Sequence, residues 1–226
     1  MKKLFITVFV STLVSFPLFS IDLSAGGGFK ITPYTEQLQV SAEGYKTAYI
    51  KYNWTDWGVY AFFDAKYVEF DVSYYRALAG SYSQSSFGYP LDLETEYGDL
   101  NISYLDLALF VKYPFRIKSS SIIPLFGFAY KINLTSDYGY NRNEGDVPKE
   151  DWDQMWIKTG VGYDLNINRK LFARTAITIC FPLETDGWID KRIGVKRDLS
   201  PFISGVKTTF GGIGCEFLLA MGYRIF

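Results

Sequence analysis

In the stretch KYVEFDVSYYR, Glu69 and Asp71 stand two residues apart, a spacing that puts both carboxylates on one face of an extended strand. Paired carboxylates of this kind are compatible with general acid/base chemistry. The rest of an active site is missing. The chain has no histidine, which removes the Ser-His-Asp and Cys-His arrangements, the HExxH zinc site and the usual imidazole base. Its two cysteines, Cys180 and Cys215, cannot build a Cys-rich metal site by themselves. The run Gly26–Gly28 is no phosphate loop, because no Lys-Ser/Thr follows and no helix begins there. No catalytic residue, metal ligand or cofactor is expected, and the chain reads as a non-enzyme. A lipid-modifying enzyme is disfavoured by the missing histidine, and Glu69 and Asp71 fit an ion-pair network better.

Further charged residues stand in the same kind of position. Asp106, Lys131, Lys158, Asp164, Arg174, Glu216 and Arg224 each lie in mid-strand, opposite an apolar row. The rows come from alternation with a period of two. In LNISYLDLALFVKYPF, Leu105, Leu107, Leu109, Val111 and Tyr113 alternate with Tyr104, Asp106, Ala108, Phe110 and Lys112. In LFARTAITICF, Thr175, Ile177, Ile179 and Phe181 oppose Phe172, Arg174, Ala176, Thr178 and Cys180. WIKTGVGYDLNI and KYVEFDVSYYR show the same two-faced pattern. Strands are expected at about Asp22–Pro33, Tyr45–Asp64, Tyr67–Ala79, Leu100–Tyr113, Ile122–Leu134, Trp152–Leu165, Leu171–Leu183 and Val206–Phe226. The second holds NWTDWG, which is either a turn that splits it into two strands or a bulge near Asp56. An even strand number favours the bulge.

Short connections (64–66, 114–121 and 166–170) alternate with long polar ones (80–99, 135–151 and 184–205). Short turns on one side and long loops on the other form the layout of a bacterial outer-membrane barrel. The N-terminus agrees with export. Lys2 and Lys3 precede an apolar stretch, Leu4–Val14, and Pro17 and Ser20 follow, so residues 1–20 read as a signal peptide cleaved after Ser20. An uncleaved anchor is the alternative, but the apolar run is short for a span of ~20 residues. Residues 21–226 then form one domain. The 226 residues include 18 Tyr, 19 Phe and 5 Trp, at a net charge of −1. This balance, with no basic run, argues against nucleic-acid binding. A soluble sandwich or lipocalin-like barrel also alternates, but turns its apolar face inward. Export, strand-end aromatics and the loop asymmetry favour lipid outside and charge inside.

The last strand, ending in Phe226, resembles the C-terminal signature of outer-membrane barrel proteins, an amphipathic strand with an aromatic final residue. The resemblance implies that Phe217, Leu219, Met221, Tyr223, Ile225 and Phe226 act as the signal read by the barrel-assembly machinery. Phe226 departs from the pattern, one residue out of phase with the stripe Phe217–Ile225. Over Asp22–Phe226 the chain is similar to the small OmpX/OmpA-type and OmpW-type eight-stranded barrels. The expected fold is therefore an all-β, eight-stranded antiparallel up-and-down transmembrane β-barrel in the cell outer membrane, in contact with its lipid.

An eight-stranded barrel is just wide enough to be filled by its own side chains. Glu69, Asp71, Asp106, Lys131, Lys158, Asp164, Arg174, Glu216 and Arg224 are the candidates for a salt-bridged network that closes the lumen. The alternative is a narrow pore or transporter for small solutes or hydrophobic molecules, the passage that the OmpW-type resemblance implies. The loops 80–99, 135–151 and 184–205 are candidate surfaces for an extracellular ligand. Cys180 and Cys215 come to similar heights but opposite faces, so two thiols are expected and a disulfide would need a bulge in Gly211–Cys215.

Overall fold

The computed structural model describes residues 22–41, 48–86, 89–97, 101–137, 153–183 and 207–225. They form strands β1 (Leu23–Ser41), β2 (Ala48–Ala65), β3 (Val68–Ser86), β4 (Tyr89–Tyr97), β5 (Asn101–Lys112), β6 (Phe115–Ile117), β7 (Ser120–Asp137), β8 (Gln154–Asn166), β9 (Leu171–Leu183) and β10 (Lys207–Arg224). The ladders run β2-β1-β10-β9-β8-β7-β5-β3, and β3 pairs back to β2. The result is a closed antiparallel barrel of eight strands, with β4 paired to the far part of β3 and β6 to the start of β7.

Closure follows from the faces. β9 alternates exposed and buried along nearly its whole length, as a pleated strand between two environments must. The buried set is Phe172, Arg174, Ala176, Thr178 and Cys180, and the exposed set includes Ile177, Ile179 and Phe181. All eight barrel strands expose large apolar side chains: Phe29, Val59, Leu78, Val111, Phe126, Val161, Ile177 and Leu219, one from each. Inside, small residues leave room for large ones. A Cβ on Gly222 would fall on the Phe172 ring, and one on Gly26 would fall on Phe62. Polarity is thus the reverse of a soluble barrel, with ions inside and hydrocarbon outside.

At one end the strands meet in tight turns. The β2–β3 turn places Lys66 at φ 55°, and the β6–β7 turn places Lys118 at φ 51°. In the β8–β9 turn the Asn168 side chain accepts the N–H groups of Lys170 and Leu171, both at 2.8 Å, an Asx turn. The barrel closes at this end, where Arg224 N–H donates to Lys170 and Ile225 N–H to Leu23.

Ala48–Ala65 is one strand, not two, and its register against β3 shifts between Thr55 and Asp56. The bulge absorbs one extra β3 residue, Leu78, because Thr55 faces Ala79 and Asp56 faces Ala77. Cys180 lies opposite Gly214 with no bulge, and Cys215 lies opposite Ile179. Both thiols are free, Cys180 buried and Cys215 half-buried on the other face. The region read as the loop 80–99 is corrected: β3 runs on to Ser86 and returns as β4. Residues 1–20, most of 135–151, all of 184–205 and Phe226 lie outside the described residues.

Candidate functional site: the charged lumen

Strand register stacks the inward charges in three tiers. Nearest the turn end, Arg174 on β9 faces Asp164, its cross-strand partner on β8. Arg174 Nε and Nη2 donate to the two Asp164 oxygens at 2.7 and 2.8 Å, the forked geometry that suits a guanidinium. Nη2 also reaches Asp64 at 3.0 Å, and Nη1 donates to Glu69. Lys112 donates to Glu69 at 2.7 Å and to Asp64. The guanidinium lies over the rings of Phe62 and Phe172, at 4.6 and 5.2 Å.

The middle tier is organised around Glu216 of β10. Lys158 joins it at 3.0 Å and Asp106 at 2.9 Å. Lys30 approaches it at 3.4 Å and Asp71 at 3.0 Å. Tyr75 donates its hydroxyl to Glu216, and so does Thr178 at 3.3 Å. Lys30, Asp106 and Lys158 are at most 1% exposed, so each charge depends wholly on these partners. Between the two tiers lies a cavity of about 10 Å³ lined by Glu69, Asp71, Arg174 and Glu216, room for about one water.

The tier farthest from the turns is aromatic. Lys131 sits over the rings of Trp156, Tyr104 and Tyr34, at 4.2, 4.5 and 4.9 Å from their centres. Tyr104 donates its hydroxyl to Asp56. Gln154 donates to Glu36 at 3.2 Å and accepts from the Trp156 indole at 2.9 Å.

Of the residues singled out from sequence, Glu69, Asp71, Asp106, Lys158, Asp164, Arg174 and Glu216 all carry ion pairs in the lumen. Lys131 is held by three rings. Arg224 stands at the turn-end mouth, half-buried, where it donates to Asn166 and covers the Phe172 ring at 5.2 Å. Sequence reasoning missed Lys30, Glu36, Asp56, Asp64 and Lys112, which complete the tiers. Lys112 was in phase with Asp106 and could have been found that way. Lys30 was masked by the glycine run before it, and Asp64 by its place at a turn. Each tier then holds one more carboxylate than cation: Asp64, Glu69 and Asp164 against Lys112 and Arg174; Asp71, Asp106 and Glu216 against Lys30 and Lys158; Glu36 and Asp56 against Lys131.

The stripe Phe217, Leu219, Met221, Tyr223 and Ile225 faces outward, and its members are 43–65% exposed. Among the described residues no group of three or more His, Cys, Asp or Glu side chains is arranged to hold a metal ion.

The architecture is that of the small eight-stranded outer-membrane barrels, and solved structures agree. The chain is similar to the outer membrane protein OprG from Pseudomonas aeruginosa, with 14% identity, 91% of this chain and 96% of that one covered, and a TM-score of 0.50. Neisserial surface protein A (NspA) aligns at 11% identity over 88% of this chain and 99% of its own, with a TM-score of 0.39. The N-terminal β-barrel domain of OprF from Pseudomonas aeruginosa aligns at 13% identity over 88% and 99%, with a TM-score of 0.32. At such identities the likeness is one of fold, and OprG alone of these three is near enough in backbone to carry it. No family model matches the sequence, and no curated protein matches it.

Proposed function

We propose that the chain is an integral outer-membrane barrel whose lumen is closed by its own ion pairs and whose role is structural or interactive, exerted through the loops at the end away from the tight turns. The observation that carries this reading is the inverted polarity of the wall. A closed barrel leaves no unpaired backbone edge in hydrocarbon. The apolar outer belt is far larger than a soluble monomer leaves in water, whereas fully buried lysines and carboxylates fill the interior. A tilted strand of ~9–11 residues crosses a bilayer, so β1, β2, β3, β7 and β10, at 18 or 19 residues each, extend well beyond it. The β3–β4 hairpin and the segments 135–151 and 184–205 are then the exterior surface for an extracellular ligand. The C-terminal stripe is the segment offered to the assembly machinery, and the protein does no catalysis.

Membrane fractionation with protease added to intact cells tests the reading. Cleavage confined to that exterior surface, with the protein wholly in the outer-membrane fraction, is the expected result, and a soluble periplasmic pool would overturn it. Planar-bilayer recording separates the closed lumen from a narrow pore for small solutes or hydrophobic molecules. Stable unitary openings of the wild-type chain would favour the pore.

A further inference from the structure

We propose that the turn end of the barrel is a docking surface for the phosphate groups of the adjoining lipid leaflet, carried by Lys66, Lys118, Arg169 and Lys170. The proposal rests on the membrane reading above. All three tight turns carry cations: Lys66 between β2 and β3, Lys118 between β6 and β7, and Arg169 with Lys170 between β8 and β9. Among the described residues of this end, the exposed acid is Asp22, which pairs with Arg116 at 3.1 Å. Asp64, Glu69 and Asp164 are buried in the lumen, so four cations remain for whatever lies outside.

The backbone adds an independent observation. Lys66 and Lys118 have φ of 55° and 51°, the left-handed region in which a Cβ is disfavoured and glycine or asparagine is the usual occupant. A turn that needed only to be short and soluble would use one of those. Two of the three turns instead place a lysine in the costly position. The charge is what that choice supplies.

The neighbouring side chains say what the charges meet. Directly beside them, Tyr67 stacks on Tyr113 at 5.8 Å, and Tyr113 packs on Phe115 at 4.9 Å. Lys66 lies 5.1 Å from the Tyr67 ring and Lys170 lies 5.6 Å from the Tyr223 ring. Exposed Tyr and Phe at the edge of an apolar belt occupy the headgroup level of a bilayer. Lysine and arginine stems run along such rings and carry their charge out to the phosphates. Ammonium and guanidinium groups form charge-assisted hydrogen bonds with phosphate oxygens. Each basic side chain near an anionic leaflet multiplies the equilibrium constant for the inserted state about fivefold.

The test compares the full mature chain with a variant carrying Lys66→Gly and Lys118→Gly, and with a second carrying Arg169→Gln and Lys170→Gln. Each is refolded into phosphatidylcholine vesicles and into phosphatidylcholine–phosphatidylglycerol vesicles, and its urea midpoint is read at low and high salt. The wild type should be more stable in the anionic vesicles, and high salt should remove the gain. The double glycine variant should match or exceed the wild type in phosphatidylcholine, because glycine relieves the left-handed residues. It should also lose about 25-fold of the anionic gain, two fivefold steps. A chain that inserts equally well into both vesicles, or variants that keep the full gain, would overturn the docking surface alone. A chain that inserts into neither would overturn the membrane reading itself.

Discussion

Replacing Arg174 with methionine removes the guanidinium and keeps most of the volume that packs on Phe62 and Phe172. Arg174 satisfies both oxygens of Asp164, at 2.7 and 2.8 Å, and also touches Asp64 and Glu69. After the substitution, Lys112 still serves Asp64 and Glu69. Asp164 keeps no cation among the described residues. All three carboxylates have side chains at most 9% exposed, so the stranded charge cannot be hydrated from outside. Removing one partner of a buried pair costs about 3–5 kcal/mol, and the lost contact with two rings adds about 1 kcal/mol at most once methionine fills the space. Arg174→Met should therefore lower the unfolding free energy of the vesicle-inserted chain by about 3–5 kcal/mol, read from urea titration with tryptophan fluorescence. Adding Asp164→Asn to Arg174→Met should recover part of that loss, because the stranded charge is gone, so the two changes should not add. A loss below about 1 kcal/mol, the level of a solvated surface pair, would refute the tier as described, as would strict additivity.

Four further outcomes follow from the same geometry. If Arg174→Met opens a path, the current should favour cations over anions, because every tier has a carboxylate in excess; anion selectivity in bilayer recordings would contradict that balance. Gly28→Ala should destabilise by about 1–3 kcal/mol although alanine is ordinarily the better sheet residue, because its Cβ would stand 2.6 Å from Ala220 Cα across the β1–β10 seam; urea titration of the variant checks the sign. Mass measurement without reductant should find both thiols free, and maleimide should label Cys180 only on unfolding, since it is 3% exposed. Deleting Phe226 should reduce outer-membrane yield in cells and leave refolding into vesicles unchanged; equal loss in both would mean that the residue serves stability, not assembly.

Much of the barrel was legible because a wall between two media writes its period of two into the chain. β9 could be read to the residue at both ends. The register shift does fall at Thr55/Asp56, where a bulge in the second strand was expected, but its extra residue is Leu78 of β3, so β2 passes NWTDWG with no insertion of its own. The far part of β3 and its partner β4 were not read as strands. Ser81–Ser86 is polar at nearly every position and offers no stripe, whereas Tyr89–Tyr97 does alternate, with Tyr89, Leu91, Leu93 and Tyr97 opposite Asp92, Glu94 and Glu96, and its acids read as those of a solvated loop. The tiers were only half legible for a different reason. Lys158 and Glu216 lie on strands that do not pair with each other, and neither do Lys30 on β1 and Asp71 on β3, which have β2 between them. Strand tilt and register bring them together, and neither is a local property. The hold of three rings on Lys131 was beyond reach for the same cause, because Tyr34, Tyr104 and Trp156 come from three different strands.

The seam between β1 and β10 joins the two ends of the chain, Ser24 lying opposite Arg224. Leu23–Ser41 is synthesised before every other strand, yet one of its edges has no partner until Lys207–Arg224 arrives. Until then that edge is open to the strands of other molecules. Its ladder to β10 is broken at Thr32–Pro33, between Ile31 opposite Phe217 and Tyr34 opposite Gly214, and proline has no N–H to offer a stranger. Sealing the cylinder is thus the longest-range pairing among the described ladders, and Pro33 leaves a gap in the hydrogen-bond donors of its leading strand.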